Sequence, residues 1–375
     1  MLQQWFAAES DHSPSEFIAV KGSTLHATLP HIKKPSRQLQ SYWNVVRKRV
    51  STIVPNQRNF QASMSTHVVV TGAAGYLGSV LCEHLLAAGF HVTAADGLIY
   101  RQRSLFHLCA NPRFDFVFGD ARDEELMRGL VKDADVLIPL AAIVGAPACD
   151  RDPWLARSVN FEAIRLLARL RSNDQLIVYP TTNSGYGTKS GDVFCTEDTP
   201  LEPISLYGQT KSEAEAEILE RPNTVTLRLA TVFGMSPRMR LDLLVNHFVY
   251  AAVTDGYLVI FEKDFKRNYI HIRDVADCFI HCIENGKKMA GRPYNVGLDA
   301  ANLSKEALAL KIKEYVPNFY IHFGQVGTDP DKRNYIVSNQ RLREAGFEAK
   351  RSLDSGIQEL LKGYRTMGRA EFANI

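Results

Sequence analysis

A glycine-rich turn between two strand-like runs is the feature that most constrains how this chain can fold. The run HVVVT at 67–71 leads into the turn GAAGYLG at 72–78, which opens a helical pattern that continues to Ala88. A second strand-like run, HVTAA, follows at 91–95. Together they have the length of a βαβ unit, about 30 residues, in which glycines let the backbone approach a pyrophosphate at a helix N-terminus. We therefore expect a dinucleotide to bind at Gly72, Gly75, Tyr76, Leu77 and Gly78.

Acidic and small residues at strand ends indicate which dinucleotide binds. Asp96 ends the second strand, where a carboxylate accepts hydrogen bonds from both ribose hydroxyls and repels a 2′-phosphate. This favours NAD over NADP, with Arg101 and Arg103 near enough in the sequence to leave the choice open. The third strand ends at Asp120, whose carboxylate is expected to receive the adenine amino group, with Ala121 beside it. Small residues that let the backbone pack against the cofactor end the fourth strand: Leu140, Ala141 and Ala142.

Strand-like runs alternate with helical segments along most of the chain. Apolar runs occur at 114–118, 135–142, 175–179 and 224–230. This alternation predicts an α/β fold, a Rossmann-type doubly wound parallel sheet with a smaller C-terminal α/β lobe for the substrate. We expect the NAD-binding Rossmann domain at 64–235 and the lobe mainly at 236–375, with segments near 265–285 and 293–298 returning to the Rossmann domain.

The first 63 residues differ in composition from the rest of the chain. Between Phe17 and Thr66 there are eight Lys or Arg residues and no Asp or Glu, and hydrophobic periodicity is weak. Three interpretations remain open: a basic, disordered extension, a targeting peptide, or sequence upstream of a true start at Met64. Glu9, Asp11 and Glu16 count against a transit peptide.

Composition excludes several classes of partner. The formal net charge of +3 is too small to indicate nucleic acid, and no run of about 18 apolar residues is present to cross a membrane. The six cysteines lack metal-ligand spacing, so no metal site is predicted. Free thiols and the lack of a signal peptide predict a cytoplasmic protein.

A threonine, a tyrosine and a lysine carry the candidate chemistry. Thr182 lies in PTTNSGYG at 180–187, and Tyr207 and Lys211 lie in YGQTK. Residues four apart share one face of a helix. The Lys211 ammonium, together with a nicotinamide's positive charge, is therefore expected to lower the pKa of the Tyr207 phenol toward neutrality. The phenolate can then accept a proton from a substrate hydroxyl while hydride leaves the same carbon, and Thr182 would hydrogen-bond that oxygen.

These motifs resemble the extended short-chain dehydrogenase/reductases, the NAD-dependent epimerase/dehydratase family that modifies nucleotide sugars. The resemblance runs from about His67 to about Leu361 and rests on TGAAGYLG, Asp96, GDAR, PLAA, Asn160, TTNSGYG, YGQTK, RLATVFG and RNYIHIRDVAD. It implies that Thr182, Tyr207 and Lys211 are catalytic, with Tyr207 and Lys211 also contacting NAD. The strings IPLAAIVGAP, TNSGYG, MSPRMRLDLLVN and DPDKRNYIVSN resemble, more narrowly, bacterial GDP-heptose 4-dehydrogenases of surface-polysaccharide pathways.

The residues after Thr182 distinguish branches of the family. In the family, 4,6-dehydratases carry Asp or Glu there, and 3,5-epimerase/reductases place a Cys in this loop. This chain has Asn183 and Ser184, and neither can transfer a proton at neutral pH. The resemblance therefore implies an NAD-dependent oxidoreductase acting at C4 of a nucleotide-diphosphate sugar. A 4-dehydrogenase would need an oxidant such as a 2-oxo acid, a nucleotide-sugar 4-epimerase (UDP-glucose 4-epimerase-like) would not, and a 4,6-dehydratase is least favoured.

Two other classes of function remain open. An NAD-sensing or scaffold protein could retain the Rossmann fold, but the intact Thr182, Tyr207 and Lys211 set argues against it. A sterol or small-ketone reductase offers no diphosphate, which would leave Arg267 and Arg333 unexplained.

The resemblance also implies how a nucleotide sugar, preferably GDP-linked, would bind. Arg267 matches the family's diphosphate-binding arginine, and Arg333 is a second candidate because guanidinium groups fork onto phosphate oxygens. Asp274 is expected to cap the helix that follows it. The helix near 156–171 and the Tyr–Lys helix are expected to form a four-helix bundle in a homodimer. Further substrate contacts are predicted for Asn183, Ser184, Arg240 and Asn246.

Overall fold

The computed structural model describes residues 66–189, 194–324 and 333–367. The predictions for residues 1–63 lie outside these ranges. Within them, no helix has both the length and the apolar character needed to cross a membrane.

Strands in the described residues form one large sheet and three small ones. The strands are β1 (His67–Thr71), β2 (His91–Asp96), β3 (Phe114–Phe118), β4 (Val136–Pro139), β5 (Leu176–Thr182), β6 (Phe194–Cys195), β7 (Thr224–Leu229), β8 (Thr231–Phe233), β9 (Tyr257–Ile260), β10 (Lys266–His271), β11 (Arg292–Val296), β12 (Asn302–Ser304), β13 (Tyr320–Phe323) and β14 (Ile336–Val337). The large sheet has the order β11-β7-β5-β4-β1-β2-β3, and every neighbouring pair is parallel. Chain order reverses at β1, which confirms the predicted doubly wound sheet.

Helices cover both faces of this sheet. They are α1 (Tyr76–Ala87), α2 (Glu124–Lys132), α3 (Ala146–Arg151), α4 (Pro153–Arg157), α5 (Ala163–Leu170), α6 (Leu206–Leu219), α7 (Leu244–Thr254), α8 (Ile272–Glu284), α9 (Gly286–Met289), α10 (Lys305–Tyr315), α11 (Gln340–Glu344) and α12 (Leu353–Thr366). A π-helical turn, Ser158–Glu162, joins α4 to α5. Short 3-10 turns lie at Phe106–Leu108, Asn183–Tyr186 and Asp299–Ala301.

Alternate residues of β1 point into two separate apolar layers. Val68 and Val70 pack in one buried cluster with Leu81 of α1, whereas Val69 packs in the other with Ile164 of α5. Because a strand between two helix layers has no exposed face, it reads as a continuous apolar run. This explains why HVVVT does not alternate with polar residues.

Part of the C-terminal half returns to the large sheet. β11 pairs with β7 in parallel, as the seventh strand. β10 pairs with β8 in parallel and with β12 in an antiparallel arrangement, and the two-stranded sheets β13-β9 and β14-β6 complete this part of the fold. Strand β8 begins two residues after β7 ends, so the small sheets lie next to the carboxyl ends of the large one.

Hydrogen-bonded N-caps begin two helices near the site. Tyr207 and Lys211 share one helix, as expected, and it begins at Leu206 because Ser205 caps it by accepting a hydrogen bond from the N–H of Gly208 at 3.2 Å. The expectation that Asp274 caps α8 is wrong. His271 is the N-cap, and the buried carboxylate of Asp274 instead accepts hydrogen bonds from the backbone N–H and guanidinium of Arg351 at 2.8 and 2.6 Å.

Candidate active site

A cavity of about 910 Å³ opens at the carboxyl ends of the parallel strands. Its lining includes all thirteen residues predicted to contact the cofactor: Gly72, Gly75, Tyr76, Leu77, Gly78, Asp96, Asp120, Ala121, Leu140, Ala141, Ala142, Tyr207 and Lys211. Thr182 lies in the same cavity. Carboxyl ends of parallel strands meet at one edge of a sheet, which is why residues more than a hundred positions apart converge here.

The glycines of the first turn leave no room for side chains. Gly72 has φ +66°, and a Cβ there would lie 2.5 Å from the backbone nitrogen of Ala141. A Cβ on Gly78 would lie 2.5 Å from the carbonyl oxygen of Gly72. The turn thus brings bare backbone to the N-terminus of α1, the arrangement that a dinucleotide pyrophosphate requires. The glycine turn can therefore accommodate the pyrophosphate of NAD.

The carboxylate of Asp96 is oriented by three donors. Oδ2 accepts from the N–H of Ala74 at 2.9 Å, and Oδ1 accepts from the N–H of Leu98 at 2.7 Å and from the Gln102 side chain at 3.2 Å. Burial raises the pKa of Asp96, and the two backbone hydrogen bonds oppose that rise. A carboxylate has about four acceptor sites, so Asp96 retains capacity for a ribose hydroxyl. Arg101 and Arg103 do not line the cavity.

The carboxylate of Asp120 is less available to an adenine amino group than the sequence suggested. The guanidinium of Arg122 contacts both of its carboxylate oxygens, with Nη2 at 2.6 Å from Oδ2. This hydrogen bond lowers the pKa of Asp120. An adenine amino group would share these oxygens with Arg122, which itself lines the cavity.

Tyr207 and Lys211 reach the cavity from the first two turns of α6. Lys211 is 4% exposed, and its Nζ lies 4.0 Å from the centre of the Tyr179 ring, in a cation–π contact. Burial lowers the pKa of Lys211 to about 7, against the opposing charge of Glu215. The ammonium is therefore only partly populated at neutral pH unless another group stabilises it.

Without NAD, burial raises the pKa of Tyr207 to about 12. Among the charges that lower it, the guanidinium groups of Arg240 and Arg333 have the largest effects. Lowering the phenol pKa toward neutrality therefore requires the nicotinamide's positive charge in addition to these side chains.

A short chain of hydroxyl groups follows the end of β5. Thr182 Oγ1 donates to Ser184 Oγ at 2.8 Å and accepts from the N–H of Ser184 at 3.1 Å. Arg333 Nη1 donates to the same Ser184 Oγ. Thr182 and Ser184 therefore offer hydroxyl groups to a bound substrate beside Tyr207, with a guanidinium next to them. Asn183, in contrast, is 1% exposed and does not line the cavity.

All three predicted substrate arginines line the cavity. Arg267 is buried, with Nη1 donating to the carbonyl of Lys266 at 2.9 Å and the guanidinium over the Tyr335 ring. Arg240 pairs with Asp242, and both lie in the cavity wall with Arg333. Guanidinium groups of this kind suit the oxygens of a diphosphate.

The prediction that Asn246 contacts substrate is not supported by its position. Asn246 is fully buried and outside the cavity wall. Its Oδ1 accepts from the N–H of Gly234 at 3.0 Å, and its Nδ2 donates to the carbonyl of Arg240 and to the Tyr76 hydroxyl. Its amide is already used in holding the loop that carries Arg240.

Sequence reasoning missed several polar residues of the cavity wall: Gln102, Arg122, Arg238, Asp242 and Lys305. Arg238 and Asp242 flank the Arg240 that was identified, so the basic turn PRMRLD carried a usable signal. Lys305 begins α10, after a strand that the sequence pattern did not indicate. No local feature of the sequence marks it as a cavity residue.

Comparisons with known proteins identify the family to which this chain belongs. The sequence profile described as "NAD dependent epimerase/dehydratase family" matches residues 68–297. Relatives include the low-salt glycan biosynthesis protein Agl12 of Haloferax volcanii, 28% identical over 79% of this chain and 98% of its own length. UDP-arabinose 4-epimerase 1 of Arabidopsis thaliana is 26% identical over 75% of this chain and 77% of its own length.

Solved structures share the fold. The UDP-glucuronic acid 4-epimerase of Bacillus cereus, in complex with UDP-glucuronic acid and NAD, superposes with a TM-score of 0.70 at 24% identity, over 80% of this chain and 99% of that one. The dTDP-glucose 4,6-dehydratase of Bacillus anthracis, in complex with NAD, has the same TM-score at 21% identity, over 80% and 97%.

A Rossmann-type sheet, a glycine turn and a Thr–Tyr–Lys set around one cavity define an extended short-chain dehydrogenase/reductase. This chain belongs to the NAD dependent epimerase/dehydratase family. NAD as the cofactor is thereby confirmed.

Proposed function

We propose that this protein oxidises C4 of a nucleotide-diphosphate sugar with bound NAD. NAD supplies the hydride acceptor. Tyr207, as the phenolate, accepts the proton of the C4 hydroxyl, and Thr182 hydrogen-bonds the same oxygen. Lys211 contributes its ammonium charge one helical turn beyond Tyr207, and the guanidinium groups of Arg240 and Arg333 favour the phenolate. Arg267 and Arg333 bind the diphosphate.

One observation supports oxidation without loss of water. The turn after Thr182 carries hydroxyl and amide groups, and the side chain of Ser184 is hydrogen-bonded to Thr182 and Arg333. The acidic residues in the described part of the cavity wall lie elsewhere: Asp96, Asp120, Asp150 and Asp242. Elimination across C5 and C6 needs an acid and a base beside those carbons, and this turn supplies neither.

The finer assignment is a GDP-heptose 4-dehydrogenase that releases the 4-keto sugar and passes its electrons to an oxidant such as a 2-oxo acid. It rests on the resemblance of IPLAAIVGAP, TNSGYG, MSPRMRLDLLVN and DPDKRNYIVSN to such enzymes. The second candidate is a nucleotide-sugar 4-epimerase, which the relatives named as UDP-arabinose 4-epimerases favour. The two differ in whether the hydride returns to the sugar.

Product analysis separates these candidates. NAD-loaded protein is incubated with GDP-linked and UDP-linked sugars, with and without a 2-oxo acid, and the products are read by mass spectrometry. We expect loss of two hydrogens from a GDP-heptose, with turnover that depends on the added oxidant. An isomer of unchanged mass formed without oxidant identifies the 4-epimerase and overturns the dehydrogenase. A product that has lost water contradicts the argument from Asn183 and Ser184.

A further inference from the structure

A row of polar side chains crosses three neighbouring strands beneath the catalytic turn. Thr181 on β5 lies opposite Arg228 on β7, and Arg228 lies opposite Asn295 on β11. Residues in register on neighbouring strands share one face of the sheet. All three are buried, with exposed fractions of 4%, 6% and 0%.

Two further residues complete a buried cluster with this row. Glu215 on α6 accepts from Thr181 Oγ1 at 2.7 Å and from Arg228 Nε at 2.8 Å. The Tyr186 hydroxyl accepts from Arg228 Nη1 at 3.1 Å and donates to Asn295 Oδ1 at 2.7 Å. We call Thr181, Tyr186, Glu215, Arg228 and Asn295 the Glu215 cluster.

Three members of the Glu215 cluster are close in sequence to active-site residues. Thr181 directly precedes Thr182, and Tyr186 ends the 3-10 turn Asn183–Tyr186 that follows it. Glu215 lies one helical turn beyond Lys211 on α6. The cluster therefore connects both ends of the Thr182 turn to the helix that carries the lysine.

Stability alone is a weak reason to bury this ion pair. Two charges removed from water lose hydration that their mutual attraction often does not offset, and apolar replacements of similar volume are frequently as stable. A buried, fully hydrogen-bonded network does fix relative geometry. At the base of the active site, such a network would fix the position of the Thr182 turn relative to α6.

The negative charge of Glu215 also affects the pKa of Lys211. Among the described residues, the groups that act on the ammonium are the Tyr179 ring on β5, whose centre lies 4.0 Å from Nζ, and Glu215, one helical turn along α6. Burial lowers the pKa of Lys211, and the negative charge of Glu215 raises it. Removing that charge would therefore lower the Lys211 pKa further.

We propose that Glu215 is a positioning residue that keeps Lys211 charged and, through its cluster, holds the Thr182 turn in register with α6. The inference rests on the proposed function, because it assigns Glu215 to the oxidation step. It predicts that Glu215 affects the chemical step and not the binding of NAD.

The first test compares two glutamates of α6. Glu215→Gln keeps the side chain's shape and removes its charge, whereas Glu217→Gln makes the same change at an exposed ion pair with Arg165, 3.0 Å long. We expect Glu215→Gln to lower kcat ~10- to 100-fold with the NAD Kd and substrate KM nearly unchanged. Because Lys211 must stay charged, the high-pH limb of the kcat profile should move to lower pH. Glu217→Gln should change neither.

A second variant covers the case in which Glu215→Gln folds poorly. Tyr186→Phe removes the hydrogen bonds from the turn to Arg228 and Asn295 but leaves the Glu215–Arg228 pair intact. We expect it to lower kcat without moving the high-pH limb. Wild-type kcat in both variants would overturn the proposal, as would a loss of activity that only follows the loss of folded protein.

An NMR titration separates this inference from the proposed function. The pKa of Lys211 is followed in full-length, NAD-loaded protein carrying ¹⁵N-labelled lysine, with Lys211→Met to assign the signal. Glu215→Gln should lower the Lys211 pKa relative to the wild type, and Glu217→Gln should not. An unchanged pKa overturns the role of Glu215. Failure of the wild type to turn over any nucleotide sugar overturns the proposed function and leaves the titration result standing.

Discussion

At the scale of single residues, Asp96 shows how far local sequence predicts a binding determinant. Its place at the end of β2 followed from the βαβ pattern, and the structure puts it in the wall of the cavity. Its hydrogen bond from the N–H of Ala74 could not be read from the sequence, since it depends on how β2 packs beside the glycine turn. That contact orients the carboxylate within the cavity wall, where we predict that it binds a ribose hydroxyl.

Asp96 should therefore determine the choice between NAD and NADP. We expect the wild type to prefer NAD at least tenfold, or about 1.4 kcal/mol, because a buried carboxylate repels a 2′-phosphate. Asp96→Ala should reduce this preference, as measured by calorimetric titration of both dinucleotides. Asp115→Ala removes an exposed carboxylate outside the cavity wall and serves as the control. Equal affinity of the wild type for both cofactors would contradict this role of Asp96.

Where the sequence predicted the wrong role or property for a residue, the cause is a tertiary contact. Asn246 has the polarity of a substrate contact, but its amide is satisfied by Gly234, Arg240 and Tyr76, partners up to 170 positions away. The pKa of Tyr207 is raised by burial and lowered by the guanidinium groups of Arg240 and Arg333, which distant loops bring to the site. Pattern and spacing identify the residue types of a site. Tertiary packing decides which of them reach it.

At the scale of elements, the loop between β8 and α7 is hydrogen-bonded to the glycine-rich turn 72–78. The Tyr76 hydroxyl donates to the carbonyl of Gly234 at 2.8 Å, and Ser236 Oγ donates to the carbonyl of Tyr76 at 2.7 Å. Asn246 joins this hydroxyl to the carbonyl of Arg240. The loop that carries Arg240 is therefore held by the same residue that opens α1.

Asn246→Ala should loosen this loop and misplace Arg240. We expect a substrate KM ~10-fold higher, with the NAD Kd nearly unchanged, because the loss of buried hydrogen bonds costs roughly 1–3 kcal/mol. Steady-state kinetics and NAD titration measure the two effects. The control is Asn285→Ala, since the Asn285 side chain donates to His281 of α8 and lies outside the cavity wall. If Asn246→Ala leaves KM at the wild-type value, the loop does not depend on this amide.

A second element reaches the cavity through an asparagine. Asn160 lies in the π-helical turn Ser158–Glu162, where its side chain accepts from the N–H of Ile143 at 2.8 Å and donates to the carbonyl of Ile143 at 2.9 Å. Ile143 lines the cavity directly after Leu140, Ala141 and Ala142, the residues that follow β4. The π-helical turn thus sets the position of the cavity wall. The sequence resemblance indicated this asparagine, but only the structure shows that its side chain bonds to the backbone of Ile143.

At the scale of the whole molecule, the sequence predicted the large sheet better than its surroundings. Continuous apolar runs indicated the first strands because both faces of this sheet are covered by helices. The small strands β6, β8, β12 and β14 have two or three residues each, too few for a periodic pattern to register. Much of the substrate side of the cavity is built from segments around these short elements.

The homodimer remains a prediction. The two helices expected to form the bundle bury their apolar residues inside the chain's own core, with Leu167, Ala214 and Ile218 all buried. The exposed side of this helix pair instead carries ion pairs, Arg157–Glu213 and Arg165–Glu217. A dimer formed through this face would be charged, and its stability would fall with added salt.

The central claim is that the Tyr207 phenolate removes the proton as hydride passes to NAD. It is tested most directly by single-turnover mixing of NAD-loaded protein with the nucleotide sugar that gives the largest signal, with formation of reduced nicotinamide followed by absorbance. We expect Tyr207→Phe to slow this step by roughly 10²–10⁴ while sugar and NAD affinities stay nearly constant. Reduction of NAD at the wild-type rate in Tyr207→Phe would contradict the account.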